Sequence, residues 1–235
     1  MHPPAGGIFA GNVSAGTCVY FNPTMKGKLS PVLLTLLAGA TAAGSAQDLQ
    51  PFSPEELAKA TPALLAANAR LGDGPMKLEL APDRATGFRT GDVGAILIPD
   101  QRLKVEKRDK NQRSRDKRGT MCVGQLWTSK LAPKDNNTVV ANDRLRLVNV
   151  VADNKELELA VYAMRIEKAG KKGMQLALYA KDNSAVLRVP LAAEKSKGAA
   201  PVVLAARRTG EEEGVLELKI LGRYKAEIPF AKQAG

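Results

Sequence analysis

Residues 214–231, GVLELKILGRYKAEIPFA, decide the fold of this chain. Apolar and polar residues alternate on both sides of Gly222 with a period of two, which is the period of a strand with one buried and one solvated face. The stretch therefore predicts an antiparallel hairpin that reverses at Gly222. The side chains predicted to face the core are Leu216, Leu218, Ile220, Tyr224, Ala226, Ile228 and Phe230.

Similar strand-like segments recur upstream at short intervals. The predicted strands are 76–80, 94–99, 121–128, 138–150, 155–167, 173–181, 184–191, 201–207, 214–221 and 223–231. Turn-forming residues separate them, and the intervals are too short for crossover helices. The sequence thus predicts an all-β fold, an antiparallel β-sandwich or barrel of roughly eight to ten strands.

One predicted strand changes its apolar face along its length. The apolar residues move from Leu157, Leu159 and Val161 to Tyr162, Met164 and Ile166. Either a bulge or burial of both faces of the strand would explain this shift.

A short helical segment is predicted ahead of the strands. Ser53 and Glu56 have the spacing of a capping box for a helix that begins at Pro54. Pro62 has no amide donor, so we expect the helix to break there and to restart with Thr61 as its cap.

Residues 25–47, MKGKLSPVLLTLLAGATAAGSAQ, have the three parts of a secretory signal. Lys26 and Lys28 supply positive charge, residues 32–40 are apolar, and the small residues 44–46 favour cleavage before Gln47. The strongly apolar run is shorter than the roughly 20 residues that a bilayer span requires, which disfavours a retained membrane anchor. The sequence therefore predicts a periplasmic or secreted protein with no membrane span after signal removal.

The signal also defines the expected division of the chain. Residues 1–24 contain no Lys, Arg, Asp or Glu and no hydrophobic periodicity, so we interpret them as a misassigned, disordered upstream extension with Met25 as the true start. The signal peptide at 25–46 follows, then the short helical segment at 47–74. Residues 75–235 are predicted to form a single β domain.

Cleavage at this position restricts the available chemistry. His2 is the single histidine of the chain, so a Ser-His-Asp triad or a histidine zinc site is excluded from the mature protein. Cys122 becomes the one remaining cysteine, which leaves no intramolecular disulfide. Its apolar neighbours favour a small buried residue, and the alternative is a thiol activated by nearby cations. The sequence predicts no metal site and no cofactor.

Positive charge is concentrated in residues 102–118, RLKVEKRDKNQRSRDKR, within a chain of formal net charge +11. This basic loop has nine basic and three acidic residues. The candidate anion-binding residues are Arg108, Lys110, Arg113, Arg115, Lys117 and Arg118. The alternative is a solvated hairpin loop, and the loop lacks the aromatic residues that often stack on nucleic-acid bases.

Two further features have structural and functional interpretations. Trp127, the single tryptophan, is either a core residue or an exposed ring that stacks on a sugar. Carboxylates occur at Glu156 and Glu158, at 211–213 and at Asp135. The simpler interpretation is that Glu156 and Glu158 lie on the solvated face of a strand and that the others lie in turns.

Three functions follow from these observations. The leading prediction is an exported, non-catalytic β domain with a binding or structural role in the cell envelope. The first alternative is a binder of anionic polymers, such as lipopolysaccharide, nucleic acid or an acidic glycan, through the basic loop. The second is a carboxylate-dependent hydrolase. The expected partners are an anionic envelope polymer or another envelope protein.

Overall fold

The computed structural model describes residues 49–70, 74–104, 120–152, 155–170, 173–194 and 200–233. The predicted upstream extension and signal, and residues 105–118 of the basic loop, lie outside these residues. The described chain contains one α-helix, α1 (Pro54–Arg70), and two 3₁₀ turns at Pro82–Arg84 and Asn142–Arg144. The strands are β1 (Gln50–Pro51), β2 (Thr86–Thr90), β3 (Val93–Pro99), β4 (Met121–Ser129), β5 (Leu131–Asp135), β6 (Thr138–Val139), β7 (Leu147–Ala152), β8 (Lys155–Ala169), β9 (Gly173–Tyr179), β10 (Ala185–Pro190), β11 (Ala192–Ala193), β12 (Val202–Arg208), β13 (Glu213–Ile220) and β14 (Tyr224–Lys232).

These strands form two antiparallel sheets. The first sheet has the order β1-β2-β3-β4-β8-β9-β10, with β7 also paired to β8. The second has the order β12-β13-β14-β5-β6, with β11 also paired to β14. The predicted all-β antiparallel fold is confirmed, and its form is a sandwich. Eleven strands have five residues or more and three have two, so the total exceeds the predicted number.

The chain passes from one sheet to the other between β4 and β5. Lys130 joins them with a φ of 52°, which turns the chain sharply. The hydroxyl of Thr128 donates to the carbonyl of Leu131 across this turn, at 2.9 Å. Strand β5 was not predicted; it contains Pro133, and proline is unusual inside a strand.

The main core lies between the two sheets, where β8 faces β14. The rings of Tyr162 and Phe230 meet edge to face, with centroids 6.3 Å apart and planes at 77°. Both are almost completely buried. The predicted final hairpin is confirmed, since Leu216, Leu218 and Ile228 are buried in this core. Leu221 and Gly222, both with positive φ, form its reversal.

Burial of both faces explains the shift of apolar residues along β8. Leu159 and Val161 pack towards α1, whereas Tyr162, Met164 and Ile166 pack between the sheets. The bulge in this part of the sheet lies in β4, where the register with β8 shifts between Cys122 and Gly124.

The helix α1 begins as predicted. The Ser53 amide donates to Glu56 Oε2 at 2.8 Å, and the Glu56 amide donates to Ser53 Oγ at 3.2 Å, which completes the capping box. The expected break at Pro62 is wrong. Thr61 lies inside the helix and its hydroxyl donates to the Leu57 carbonyl at 2.9 Å. The buried residues of α1 form one face that continues on both sides of Pro62, so packing on the sheet stabilises the helix through the proline. These residues are Leu57, Ala60, Thr61, Leu64 and Ala67.

Three other strand predictions need correction. Residues 76–80 form no regular strand, and Leu80 makes an isolated bridge to Asp100. The predicted strand 138–150 is interrupted by the 3₁₀ turn at Asn142–Arg144, because Asn and Asp favour local turns over sheet pairing. Strand β2 was missed, since TGFRT contains one large apolar residue. No helix in the described parts of the chain is long and apolar enough to cross a bilayer.

Candidate functional site

Two segments cover the outer face of the first sheet, and a pocket opens where they meet. The helix α1 covers one half of this face, with Leu64 packed among Ile96, Trp127 and Val161. Residues 74–80, here called the strap, cover the other half. Met76 and Leu78 of the strap pack on a cluster of small and aromatic residues formed by Ala163, Ala177, Tyr179 and Ala185. The pocket between the two segments has a volume of about 360 Å³.

Part of the described lining is apolar. Met76, Leu78 and Leu80 of the strap form one wall, and Ala163 on the outer face of β8 lies at the floor. The strap is irregular and cannot interdigitate with the sheet as a helix does, and Ala163 fills little volume. These two properties leave space for a small molecule.

Two polar side chains inside the pocket have unused hydrogen-bonding capacity. Gln125 of β4 is 5% exposed, and its Oε1 accepts from Trp127 Nε1 at 3.0 Å. No described residue accepts a hydrogen bond from Gln125 Nε2. Asn68, in the last turn of α1, has a buried Oδ1 with no donor among the described residues. The pocket thus offers a donor on Gln125 and an acceptor on Asn68, and the buried Oδ1 of Asn68 is costly to leave unsatisfied.

The rim of the pocket is cationic. Lys77 and Arg146 both line it. Burial lowers the pKa of the Arg146 guanidinium, although the group stays charged at physiological pH. The guanidinium lies against Gly74 so closely that a Cβ at this position would collide with it. A side chain at 74 would therefore displace the end of the Arg146 side chain.

A buried carboxylate fastens the end of the strap to the sheet. The Asp100 side chain is fully buried and accepts hydrogen bonds from Arg102 Nη2 at 2.7 Å, Arg102 Nε at 2.8 Å and the Glu79 amide at 3.2 Å. Burial opposes ionisation of Asp100, but Arg102 and the two backbone amides of Arg102 and Glu79 outweigh it and lower the pKa. The strap is thus anchored without sheet pairing along its length.

The basic loop begins at this anchor. Arg102 is the first residue of the predicted loop, and its guanidinium belongs to the fold through Asp100. The six candidate anion-binding residues, Arg108, Lys110, Arg113, Arg115, Lys117 and Arg118, lie outside the described residues. At the start of β4, Cys122 pairs with Arg165 of β8. This row of paired residues continues across the sheet through Ala177 of β9 to Arg188 of β10.

The arginines of this row are partly neutralised by a polar cluster. Arg165 Nε donates to Glu167 Oε1 at 2.9 Å and its Nη2 donates to the Tyr179 hydroxyl at 2.7 Å. Tyr179 in turn donates to Glu167, and Arg188 Nε lies 3.7 Å from Glu167 Oε2. Burial opposes ionisation of Glu167, yet Tyr179 and Arg165 outweigh it and lower the pKa. The cluster satisfies its own polar atoms, so we do not assign it to the pocket.

Trp127 lies in the core under α1, which is one of the two interpretations of its sequence position. Its side chain is 2% exposed, and its indole N–H is used by Gln125. Stacking on a sugar would require an exposed ring face, which this position does not offer.

Cys122 is a half-buried cysteine near the start of β4, and it forms no disulfide with a described residue. Arg102 and Cys122 interact electrostatically, so a cation of the kind that favours a thiolate is nearby. Both interpretations of this cysteine therefore stay predictions.

The carboxylates considered in the sequence lie away from the pocket. Glu156 and Glu158 are exposed on β8, and Glu213 forms an ion pair with Lys134 at 2.5 Å. Asn136 and Asn137, which follow Asp135, have positive φ in a tight turn. Among the described residues that line the pocket there is no Asp or Glu.

Sequence reasoning missed the residues that define the pocket. Gln125 could have been noticed as a polar residue within the apolar strand MCVGQLW. Asn68 and Arg146 give no such signal, because polar residues are ordinary near the end of a helix and before a strand. Comparisons of the chain with known protein families, with curated proteins and with solved structures found no match.

Proposed function

We propose that this protein is an exported, non-catalytic binding module of the cell envelope, and that its ligand occupies the pocket between α1 and the strap. The observation that carries this proposal is the pairing of an unused donor on Gln125 with an unused acceptor on Asn68 in one pocket. An apolar pocket with a few converging polar groups is the usual form of a small-molecule site. Export rests on the signal pattern from Lys26 to Ala46.

The chemistry of the lining favours binding over catalysis. An acid–base mechanism needs a group that gains or loses a proton near neutral pH within reach of the ligand. The described lining residues that carry charge are Lys77 and Arg146, and an arginine does not act as a base. The carboxylates Glu167 and Glu217 have lowered pKa values and pair with cations elsewhere on the surface.

Native mass spectrometry of the full chain, purified from the exported fraction, tests the proposal. We expect a bound small molecule or, after dialysis, specific binding of a component of an envelope extract. The variant Ala163→Leu places a larger side chain in the pocket and should abolish this binding. Equal binding by the wild-type protein and Ala163→Leu, or binding by neither, would overturn the proposal.

A second candidate function is the binding of anionic polymers through residues 102–118. The excess of nine basic over three acidic residues in this loop supports it. Replacement of the six candidate residues by Ser should weaken binding to heparin steeply and reduce the slope of log affinity against log salt. An unchanged slope would exclude this function.

A further inference from the structure

We infer that the ligand of the pocket carries an acylamino group, that is, a secondary amide with a small acyl chain such as the acetamido group of an N-acetylated sugar. This inference rests on the proposed binding function and specifies its ligand. It follows from three properties of the pocket: the donor on Gln125, the acceptor on Asn68 and the small apolar floor.

The two polar groups require a ligand that both accepts and donates a hydrogen bond. A secondary amide meets this requirement, because its carbonyl can accept from Gln125 Nε2 while its N–H donates to Asn68 Oδ1. A carboxylate would offer no donor to Asn68, and an ammonium group would offer no acceptor to Gln125. A carboxylate would leave the buried Oδ1 of Asn68 unsatisfied, which costs binding free energy, and an ammonium group would make no hydrogen bond with Gln125 Nε2.

The apolar surfaces select the acyl chain. Ala163 at the floor leaves room for a methyl group, and Met76 and Leu78 supply an apolar wall. A second amine in place of the methyl group, as in a urea, would place polar hydrogens against this surface. The lining therefore favours a short hydrocarbon acyl group.

The rim specifies the rest of the ligand. A pocket of about 360 Å³ is at the small end of the range of ligand sites. It can enclose the acyl group and part of the ring to which the group is attached. Lys77 is an exposed residue at the rim and carries hydrogen-bond donors. They suit hydroxyl or carboxylate oxygens on the remainder of the ligand.

The first test compares three sugars that differ at a single substituent. N-acetylglucosamine, glucosamine and glucose are titrated into the full chain, and binding is measured by calorimetry and by saturation-transfer NMR. We expect N-acetylglucosamine to bind at least tenfold more tightly than the other two, with the strongest saturation at its acetyl methyl group. Equal affinities, or saturation centred on the sugar hydroxyl side, would overturn the inference.

Matched variants identify the groups responsible. Gln125→Glu removes the amide donors while it keeps an acceptor for Trp127 Nε1, and Asn68→Leu removes the acceptor at similar volume. Each should weaken N-acetylglucosamine binding at least tenfold. Asn68→Asp keeps the acceptor and should retain binding, and Gln175→Glu, a change outside the pocket, controls for the added charge. A loss of binding in Gln175→Glu, or none in Gln125→Glu, would contradict the assignment.

The same measurements separate this inference from the proposed function. If a ligand from an envelope extract binds the wild-type protein but not Ala163→Leu, and N-acetylglucosamine does not compete with it, the acylamino assignment is wrong and the binding function stands. If nothing distinguishes the wild-type protein from Ala163→Leu, both fail. A pocket that holds water alone would give this second result.

Discussion

The two faces of β8 are covered in different ways. Its inner face carries Ala160, Tyr162, Met164 and Ile166, which are at most 3% exposed and pack against the second sheet. Its outer face carries Leu159 and Val161 under α1, then Ala163 under the strap. A sheet can fill the opposing face because its side chains repeat at the same spacing. A helix and an irregular strap must share the outer face, and the join between them leaves the pocket.

This difference separates the parts of the protein that stabilise it from the part that we propose to bind. The inner face has apolar side chains that match across the sheets. The join on the outer face has small residues and buried amide groups, which cost stability unless a ligand or water satisfies them.

The largest expected effect is at the inner face. Phe230→Ala should lower the free energy of unfolding by about 3–5 kcal/mol, because the ring packs edge to face on Tyr162 in the inter-sheet core. Ile228→Ala, on the same face of β14, should cost about 2–5 kcal/mol. Urea unfolding measures both. Losses below about 1 kcal/mol would show that this face is not close-packed.

On the outer face, the two covering segments should differ from each other. Leu64→Ala under α1 should cost about 2–4 kcal/mol, since Leu64 is 2% exposed. Met76→Ala in the strap should cost about 1 kcal/mol, because Met76 is half-buried beside the pocket. The same urea unfolding compares them. Equal costs would indicate that strap and helix cover the sheet equally well.

The anchor of the strap should be sensitive to acid. The lowered pKa of Asp100 means that its ion pair stabilises the fold above the ordinary carboxyl pKa of 3.8 and that this stabilisation is lost as the pH falls through the lower folded-state value. Asp100→Asn should reduce stability by about 2 kcal/mol at pH 7. It should also flatten the loss of stability below pH 4. A variant with the full acid dependence of the wild-type protein would place that dependence at other carboxylates.

The smallest expected effect is on the solvent face of the second sheet. Glu227 pairs with Lys225 at 3.1 Å and Arg207 at 3.3 Å, and all three side chains are at least 29% exposed. Glu227→Ala should therefore change the free energy of unfolding by less than about 0.5 kcal/mol. A cost comparable to that of Ile228→Ala would mean that the register of β14 is shifted by one residue.

The sequence predicted most of the regular structure because the strands of the core have a period of two. The final hairpin, β8, β9 and the capping box of α1 follow from local patterns alone. Strand β2 could not be predicted in the same way. Its Gly87 is required by a tertiary contact, since a Cβ there would lie 2.8 Å from the Phe52 ring. Because β2 contains a single large apolar residue, its sequence shows no alternation of apolar and polar residues.

The candidate site was much less predictable than the fold. The pocket depends on where α1 ends relative to the strap, and the sequence of neither segment predicts the position of the other. Gln125, Asn68 and Arg146 come from three separate elements, and each alone has an ordinary structural explanation. The charge pattern at 102–118 predicted a different candidate site, and its first residue, Arg102, anchors the strap.

The most direct test of the division between the two faces of β8 uses two alanines on this strand. Ala160→Leu inserts volume into the close-packed inner face, and Ala163→Leu inserts the same volume into the pocket. We expect Ala160→Leu to lower the free energy of unfolding by about 1–3 kcal/mol and Ala163→Leu to change it by less than about 0.5 kcal/mol, as measured by urea unfolding. Equal destabilisation by the two variants would show that the outer face has no space for a ligand and would contradict the account.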